Sequence, residues 1–496
     1  MPLVKNGDIM KKSVAKNAIF NMINRGLTII FPLITITYVS RILGAAGIGS
    51  VASAQNFSNY FTMLAAMGIP SYGVKAIAQS KINPQKCNKV FTELFTINLF
   101  STIFCVIIYF FTLWLLQNSY TTNKLYTIFV ILVIFNIFNL EWVYQGFEEY
   151  GYITLRSFII KLLSVCLMFF LVRTEKDLVG YALLLCFGTF GNYLLNMVNL
   201  KSYVKFDFSH IDLQMHLKPI LIFFASVVAI EIYSLVDITM LTAMTNAEVV
   251  GYYSNSTKII KMAANTLTAL SAVLMPRLSN YFYNKEYSKI KSVSQSFLNI
   301  TIAISIPSCV GLFLIAPELV ITLLGNTFEP AVDTIRILSI LIILMPLSGG
   351  VFCQLLLTSG NEKKYLICVL SGAIINIILN ANLIKYLEQN GAAIASIVAE
   401  LFVCLLMYFF STKIIKLSCK KRNFISILVS SGSMLVSILV IKCFITCLET
   451  YIKLLTEIII AVFIYFLTLI ITKNELAEIV KRKIDKNFSN ILYRRS

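Results

Sequence analysis

Basic side chains interrupt several stretches of the sequence that are otherwise apolar, among them Arg336 and Lys442. Three of these basic residues, Arg25, Lys258 and Lys261, also belong to polar helix faces. A charge at the centre of a bilayer costs at least ~2.5 kcal/mol on insertion scales, so each of these residues is expected to face water or a charged partner. Lys258 and Lys261 are three residues apart, on adjacent turns of one helix face, where like charges repel each other. This spacing predicts an anionic ligand, or carboxylates from elsewhere, beside the two ammonium groups.

Each of the three cations belongs to a longer polar stripe at helical spacing. The first stripe comprises Asn17, Asn21, Asn24, Arg25, Thr28 and Thr35. The second comprises Ser254, Thr257, Lys258, Lys261, Asn265 and Thr268. We interpret both stripes as walls of a water-filled cavity. Two alternatives stay open: the Arg25 side chain snorkels to the lipid headgroups, or the two lysines form structural ion pairs with Glu231 or Asp237.

Two carboxylates, Glu231 and Asp237, lie within the apolar segment that precedes the two lysines. They are about 120° apart on a helical wheel, since successive residues are 100° apart, and so they do not share one narrow face. Carboxylates within membrane segments often carry protons or bind ions. We therefore predict Glu231 and Asp237 as sites of proton or sodium coupling. Further polar residues of interest within apolar segments are Glu141, Arg336, Glu400, Asn376 and Asn380.

Enzyme motifs are missing from the sequence. It contains no phosphate-binding GxxxxGK[ST] loop, and its cysteines show no metal-ligand spacing. The only two histidines, His210 and His216, fall in a polar loop, where we expect both to be solvated. The sequence therefore predicts no catalytic residue, no metal site and no cofactor, and the protein is expected not to be an enzyme.

The segments that position these residues are apolar and long enough to cross a bilayer. The chain has 496 residues, of which 58% are hydrophobic and 13% are charged, whereas a soluble domain is about 25% charged. About 20 apolar residues cross the hydrocarbon as a helix, and continuous rather than alternating runs favour helices over a barrel. We predict an all-α, polytopic membrane protein with fourteen spans. They lie at about 17–39, 48–70, 90–116, 125–145, 157–172, 179–199, 219–243, 251–275, 293–316, 331–358, 363–387, 391–412, 424–446 and 454–472.

Lysine and arginine are concentrated in the predicted loops on the N-terminal side of the membrane and in both tails, as in 413–422. By the positive-inside rule both termini are expected in the cytoplasm. The net charge of +18 therefore reflects membrane topology and contact with anionic lipid headgroups, and nucleic acid is not expected as a partner. The start of the sequence is expected to be a basic arm rather than a signal peptide.

A short internal repeat relates the two halves of the chain. Gly49 opens the second predicted span and Gly251 opens the eighth. Seven residues further on come Asn56 and Lys258, at the same relative position. Two related halves with a binding site between them are a common arrangement in transporters. We therefore include Asn56 among the polar residues predicted to line the cavity, with Asn21, Asn24 and Asn265.

Three stretches of the sequence resemble a known family. They are TYVSRILGAAGIGSVASAQNFSNYFTMLAAMGIPSYGVKAIAQ from Thr37, DITMLTAMTNAEVVGYYSNSTKIIKMAANTLTALSAVLMPRLSNYF from Asp237, and GAIINIILNANLI from Gly372 followed by GAAIASIVAE from Gly391. Together they resemble the polysaccharide-transport branch, the O-antigen and capsule repeat-unit flippases, of the multidrug/oligosaccharidyl-lipid/polysaccharide exporter superfamily. The resemblance extends over nearly the whole chain.

The resemblance implies two pseudo-symmetric six-helix lobes, 1–200 and 201–415, two further transmembrane helices within 416–472, and a basic cytoplasmic tail, 473–496. It implies alternating access through a central cavity in a bacterial inner membrane. The implied substrate is an oligosaccharide linked to undecaprenyl diphosphate, and membrane lipids and the glycan polymerase of the same pathway are the implied partners. By position, Arg25, Lys258 and Lys261 match the family's cavity cations, and Asp237 matches a frequent acidic position.

Two alternative functions share this fold. A cation-coupled multidrug exporter would favour an acidic, aromatic cavity, whereas the stripes in this sequence are cationic. A lipid II flippase would use a similar cationic cavity. A membrane-embedded glycosyltransferase or polymerase belongs to a different class, and it would need a large outer loop or a carboxylate-rich soluble face, neither of which the sequence shows.

Overall fold

The structure is a computed structural model that describes residues 14–116, 124–209, 211–271, 274–418, 420–445 and 448–474. Within these ranges the regular secondary structure is helical and contains no β-strand, so the predicted all-α class is confirmed. The chain forms two compact units, residues 1–251 and residues 252–496, and each is described by itself below.

Eight helices lie entirely in the first unit, and a ninth begins at its end. They are α1 (Val14–Ala66), α2 (Ile69–Ser80), α3 (Pro84–Leu115), α4 (Lys124–Phe135), α5 (Glu141–Gly146), α6 (Tyr150–Leu171), α7 (Leu178–Leu200), α8 (Gln214–Met244) and α9 (Ala247–Ser271). Most of α9 belongs to the second unit. The rest of that unit contains α10 (Leu274–Tyr283), α11 (Tyr287–Leu323), α12 (Ala331–Leu338), α13 (Leu341–Met345), α14 (Cys353–Thr358), α15 (Glu362–Thr412), α16 (Lys421–Phe444) and α17 (Thr450–Ile471), with a π-helical turn at Pro346–Phe352.

Ten helical segments of the described chain are long and apolar enough to cross a membrane, or eleven if the bent pair 247–269 and 274–283 forms one span. Large apolar side chains are exposed along these segments, for example Phe104 at 62% in α3 and Ile459 at 66% in α17. Such faces suit contact with lipid rather than water. The protein is therefore a multi-pass membrane protein. The number fourteen stays a prediction.

The two longest helices each contain two of the predicted spans, joined at a break. In α1 the break is at Gly44, whose φ of 65° lies in the left-handed region that glycine adopts without steric cost. In α15 the break is at Glu388, with φ 48°. A side chain at Gly391 would overlap the carbonyl of Leu383, so the chain after this break folds back tightly on the chain before it.

Glycine also allows the backbones of α1 and α9 to meet. A Cβ atom at Gly49 would overlap the carbonyl oxygen of Ala247, and one at Gly251 would overlap that of Ala45. Only glycine permits this approach, because any larger side chain would occupy the space of a backbone atom. The two glycines that the internal repeat relates therefore lie against each other's helices.

Candidate substrate-binding site

A seam of polar side chains joins α1 to α8 in the first unit. The Ser53 and Thr242 hydroxyls are 2.8 Å apart. The Asn56 amide donates to the carbonyl oxygen of Leu235 at 3.1 Å and to the Thr239 hydroxyl at 2.8 Å. Asn56 is buried, and its amide nitrogen bonds across the seam, as polar residues do when they hold membrane helices together.

A cavity of about 360 Å³ opens beside this seam. Its lining residues are Ser53, Asn56, Phe57, Tyr60, Phe61, Leu113, Leu116, Tyr126, Thr239, Thr242 and Ala243. One wall carries hydroxyl and amide groups, including the Tyr60 hydroxyl, 2.9 Å from that of Thr239. The other wall is aromatic, since Phe57 packs edge-on against Tyr126 and lies beside Phe61. The volume lies within the range of small-molecule pockets, and the lining has no charged side chain.

The predicted coupling carboxylates lie in different surroundings on α8. Asp237 is 8% exposed, between the Asn56 partners Leu235 and Thr239, whereas Glu231 is exposed. Asp237 is close enough to Tyr60 for the charge of one to act on the other. The structure thus brings Asp237, but not Glu231, to the polar seam. Ion binding by either residue stays a prediction.

The predicted lysine pair lies on the part of α9 that belongs to the second unit. Ser254 and Thr257 of the same stripe are buried, and the Thr257 hydroxyl donates to the carbonyl oxygen of Tyr253 at 2.9 Å. Lys258 and Lys261 are half-buried. Neither lysine has an ion-pair or hydrogen-bond partner among the described residues of its own unit. A pairing with Glu231 or Asp237 would join the two units and stays an alternative prediction.

Four predicted cavity residues remain, and the structure describes the side chain of only one of them. Arg25, Asn21 and Asn24 lie on α1, but their side chains are outside the described part of the structure. Asn265 is exposed, two turns beyond Lys258 on α9. The stripe on α9 therefore runs from buried hydroxyls, through half-buried ammonium groups, to an exposed amide.

The prediction that His216 is solvated is wrong. It lies in the first turn of α8 and is 2% exposed. Its Nε2 atom is 2.9 Å from Glu93 Oε2, and its Nδ1 atom is 2.9 Å from the Tyr72 hydroxyl. The sequence could have indicated a partner for this histidine, because Glu93 lies in an apolar run and a carboxylate on a buried helix face needs a partner. The second predicted loop histidine, His210, is outside the described residues.

A second polar cluster that the sequence analysis missed surrounds Arg156 on α6. Its guanidinium contacts Glu141 Oε2 at 2.5 Å and the amide oxygens of Asn192, at 3.1 Å, and Asn196. The helix begins at residue 150 rather than at the predicted 157, which brings Arg156 into it. Lys161, on the same helix, has a buried ammonium nitrogen without a hydrogen-bond partner among the described residues.

Two further polar residues of the sequence analysis have local partners in the second unit. Arg336 pairs with Asp333 at 3.2 Å and lies over the ring of Phe313. Glu400 accepts a hydrogen bond from Ser348 in the π-helical turn. Both contacts tie neighbouring parts of one unit together.

Two bacterial proteins with the same description are similar in sequence to this chain. A protein of Shigella dysenteriae that is provisionally described as an O-antigen transporter is 23% identical to this chain over 403 residues. The alignment covers 79% of this chain and 98% of the relative. A protein of Escherichia coli (strain K12) with the same description is 23% identical over 422 residues, covering 81% of this chain and 97% of the relative.

Solved structures of two transport proteins have a similar fold. The lipid II flippase MurJ in an inward closed conformation superposes with a TM-score of 0.77 at 15% identity, over 93% of this chain and 99% of that one. An inward-facing multidrug resistance MATE family transporter superposes with a TM-score of 0.62 at 14% identity, over 80% of this chain and 98% of that one. A family profile described as "Polysaccharide biosynthesis protein" matches residues 14–282. The chain belongs to this polysaccharide biosynthesis protein family.

Proposed function

We propose that this protein is a flippase, not an enzyme, and that it moves an oligosaccharide repeat unit linked to undecaprenyl diphosphate across the bacterial cytoplasmic membrane. The observation that carries the proposal is the Lys258 and Lys261 pair on α9, which together with α10 forms a candidate membrane span. Two half-buried ammonium groups without a counter-ion in their own unit would repel each other and lose hydration. A diphosphate supplies the missing negative charge and hydrogen-bond acceptors.

The sugars of such a substrate need a polar path, because their hydroxyl groups would lose their hydrogen bonds in hydrocarbon. The cavity of the first unit supports this part of the proposal, since it combines Ser53, Tyr60 and Thr242 hydroxyls with aromatic rings. Its 360 Å³ would hold only part of a headgroup. In the proposed mechanism, lobes 1–200 and 201–415 rock against each other and expose the headgroup to each side in turn.

The proposal includes Arg25 as a third cation, and Asn21, Asn24, Asn56 and Asn265 as polar wall. Glu231 and Asp237 would couple transport to a proton or sodium gradient. Both termini would lie in the cytoplasm, and the glycan polymerase of the pathway would receive the product. The name of the O-antigen transporters and the family match support the glycan substrate.

The test is surface glycan in cells whose flippase gene is replaced by single variants. Lys258→Ala and Arg25→Ala should each reduce surface glycan about tenfold or more, because one charge-assisted hydrogen bond contributes about 1.5–3 kcal/mol. Lys385→Ala is the matched control, since it removes an exposed lysine beside the Glu388 break. Normal surface glycan in both cation variants, at normal protein levels, would refute the proposal.

Two further assays separate the alternatives of the same superfamily. Growth of a lipid II flippase-depleted strain on this gene alone would assign lipid II as the substrate. Drug resistance in a hypersensitive strain, lost with Asp237→Asn but kept with Lys258→Ala, would assign a cationic drug instead.

A further inference from the structure

Four ionisable side chains meet where α11, α16 and α17 pack together in the second unit. Lys442 of α16 donates to Glu318 Oε2 at 2.7 Å and to the carbonyl oxygen of Leu314 at 2.6 Å. Lys453 of α17 pairs with Glu318 Oε1 at 3.1 Å. Both oxygens of the α11 carboxylate are thus occupied by ammonium groups, which fasten the two last helices to α11.

The fourth member, Glu457 of α17, is buried completely and has no such partner. Its exposure is 0%, and neither carboxyl oxygen has a hydrogen-bond donor among the described residues. The charged groups close enough to influence it are Glu318 from α11, Lys442 from α16 and Lys453 from its own helix. Both lysines, however, direct their ammonium groups to Glu318.

This arrangement suits a neutral carboxyl group. Burial without donors destabilises an ionised carboxylate far more than a neutral carboxyl group, so such a group takes up a proton instead. A metal cation does not suit Glu457 in place of a proton, because the two ammonium groups of the cluster would repel it. From this geometry we propose that Glu457 is a proton-binding site, separate from the predicted coupling residues, and that it holds a proton in the state described here.

Loss of that proton would change the contacts between helices. Lys453 is four residues before Glu457 and so one turn away on the same helix face. When Glu457 becomes an anion, the Lys453 ammonium moves to it and leaves Glu318, which keeps Lys442. Proton release therefore removes the ion pair between α17 and α11, while the pair between α16 and α11 stays.

The two lysines lie at the exposed edge of the cluster. The side chains of Lys442 and Lys453 are 21% and 22% exposed, whereas Glu318 is 9% exposed. The three helices bring these residues together within two or three turns of their ends, since α16 ends at Phe444, α17 begins at Thr450 and α11 ends at Leu323. The site therefore lies near one surface of the membrane rather than at its midplane.

The test uses the purified full-length protein in liposomes and needs no transport substrate. Infrared difference spectra between neutral and alkaline pH, a range in which exposed carboxylates stay ionised, should show the carbonyl stretch of a protonated carboxylic acid, with a shift in D₂O. The band should be lost in Glu457→Gln and kept in Glu362→Gln, the control at an exposed glutamate. In Lys453→Gln the band should persist at the alkaline end of the range, because the anion has lost its partner.

Two outcomes would overturn the proposal. One is that the band is absent from the wild-type spectrum, or is still present in Glu457→Gln. The other concerns stability: Glu457→Gln replaces a neutral acid by a neutral amide and should leave the thermal midpoint unchanged. A large fall of the midpoint would mean that Glu457 is an anion that balances the lysines.

Discussion

Glu93 of the first unit and Glu457 of the second are both completely buried, but they differ in the groups around them. Glu93 Oε1 accepts a hydrogen bond from the backbone amide of Asp212 at 2.8 Å, and Oε2 contacts His216 at 2.9 Å. Glu457 has no donor among the described residues. A glutamate with the same burial therefore holds neighbouring segments together in the first unit and is the proposed proton-binding site in the second.

The difference shows that burial alone does not identify a functional residue in a membrane protein. What matters is whether each polar atom has a partner, since a satisfied group stabilises packing and an unsatisfied one is available to a ligand. Asn56 and Arg156 resemble Glu93, because their side chains bond to partners on neighbouring helices. Lys258 resembles Glu457, because it is half-buried and has no partner among the described residues of its own unit.

The largest expected effect comes from the same substitution at both carboxylates. Glu93→Gln removes the charge that faces His216 and the Asp212 amide, and it should destabilise the protein by about 3 kcal/mol. Glu457→Gln should change stability by less than about 0.5 kcal/mol, as substitutions that disturb no such feature do. The measurement is thermal unfolding of the two purified variants in the same detergent. Equal losses of stability would show that the two sites do not differ.

An intermediate effect is expected at two of the asparagines that are predicted to line the cavity. Asn56→Ala removes one donor from the Leu235 carbonyl and one from the Thr239 hydroxyl, which should cost about 1–3 kcal/mol. Asn265→Ala changes an exposed amide and should cost less than about 0.5 kcal/mol. Thermal unfolding again measures both. A loss at Asn265 as large as that at Asn56 would contradict the assignment of Asn265 to an open, hydrated face.

The helical class and the presence of many apolar segments of membrane length could be predicted from the sequence, because apolar runs and helical periodicity are local properties. The break at Gly44 in α1 falls between two of the predicted spans, where the backbone leaves the helical conformation. The start of α6 at residue 150 escaped prediction, because it lies in polar sequence, where no apolar run marks it.

The partners of the polar residues could not be predicted, because they are far apart in the chain. His216 and Glu93 are separated by 123 residues, and Lys442 and Glu318 by 124. A sequence pattern shows that a charge within an apolar run needs a partner, but only the packing of helices decides which one it finds. For this reason Lys442 could be recognised as an intramembrane cation, whereas its pairing with Glu318 could not be foreseen.

The smallest expected effect tests the hydroxyl group at the end of the Glu93 cluster. Tyr72→Phe removes the hydrogen bond to His216 Nδ1 but keeps the ring, so it should cost about 0.5–1.5 kcal/mol. Tyr408→Phe is the matched control, because its ring packs against Phe352 and its hydroxyl has no partner among the described residues. If thermal unfolding showed no difference between the two variants, the Tyr72 hydroxyl would not help to hold the imidazole. The anchoring of α8 would then rest on Glu93 alone, since Glu93 contacts both His216 and the amide of Asp212.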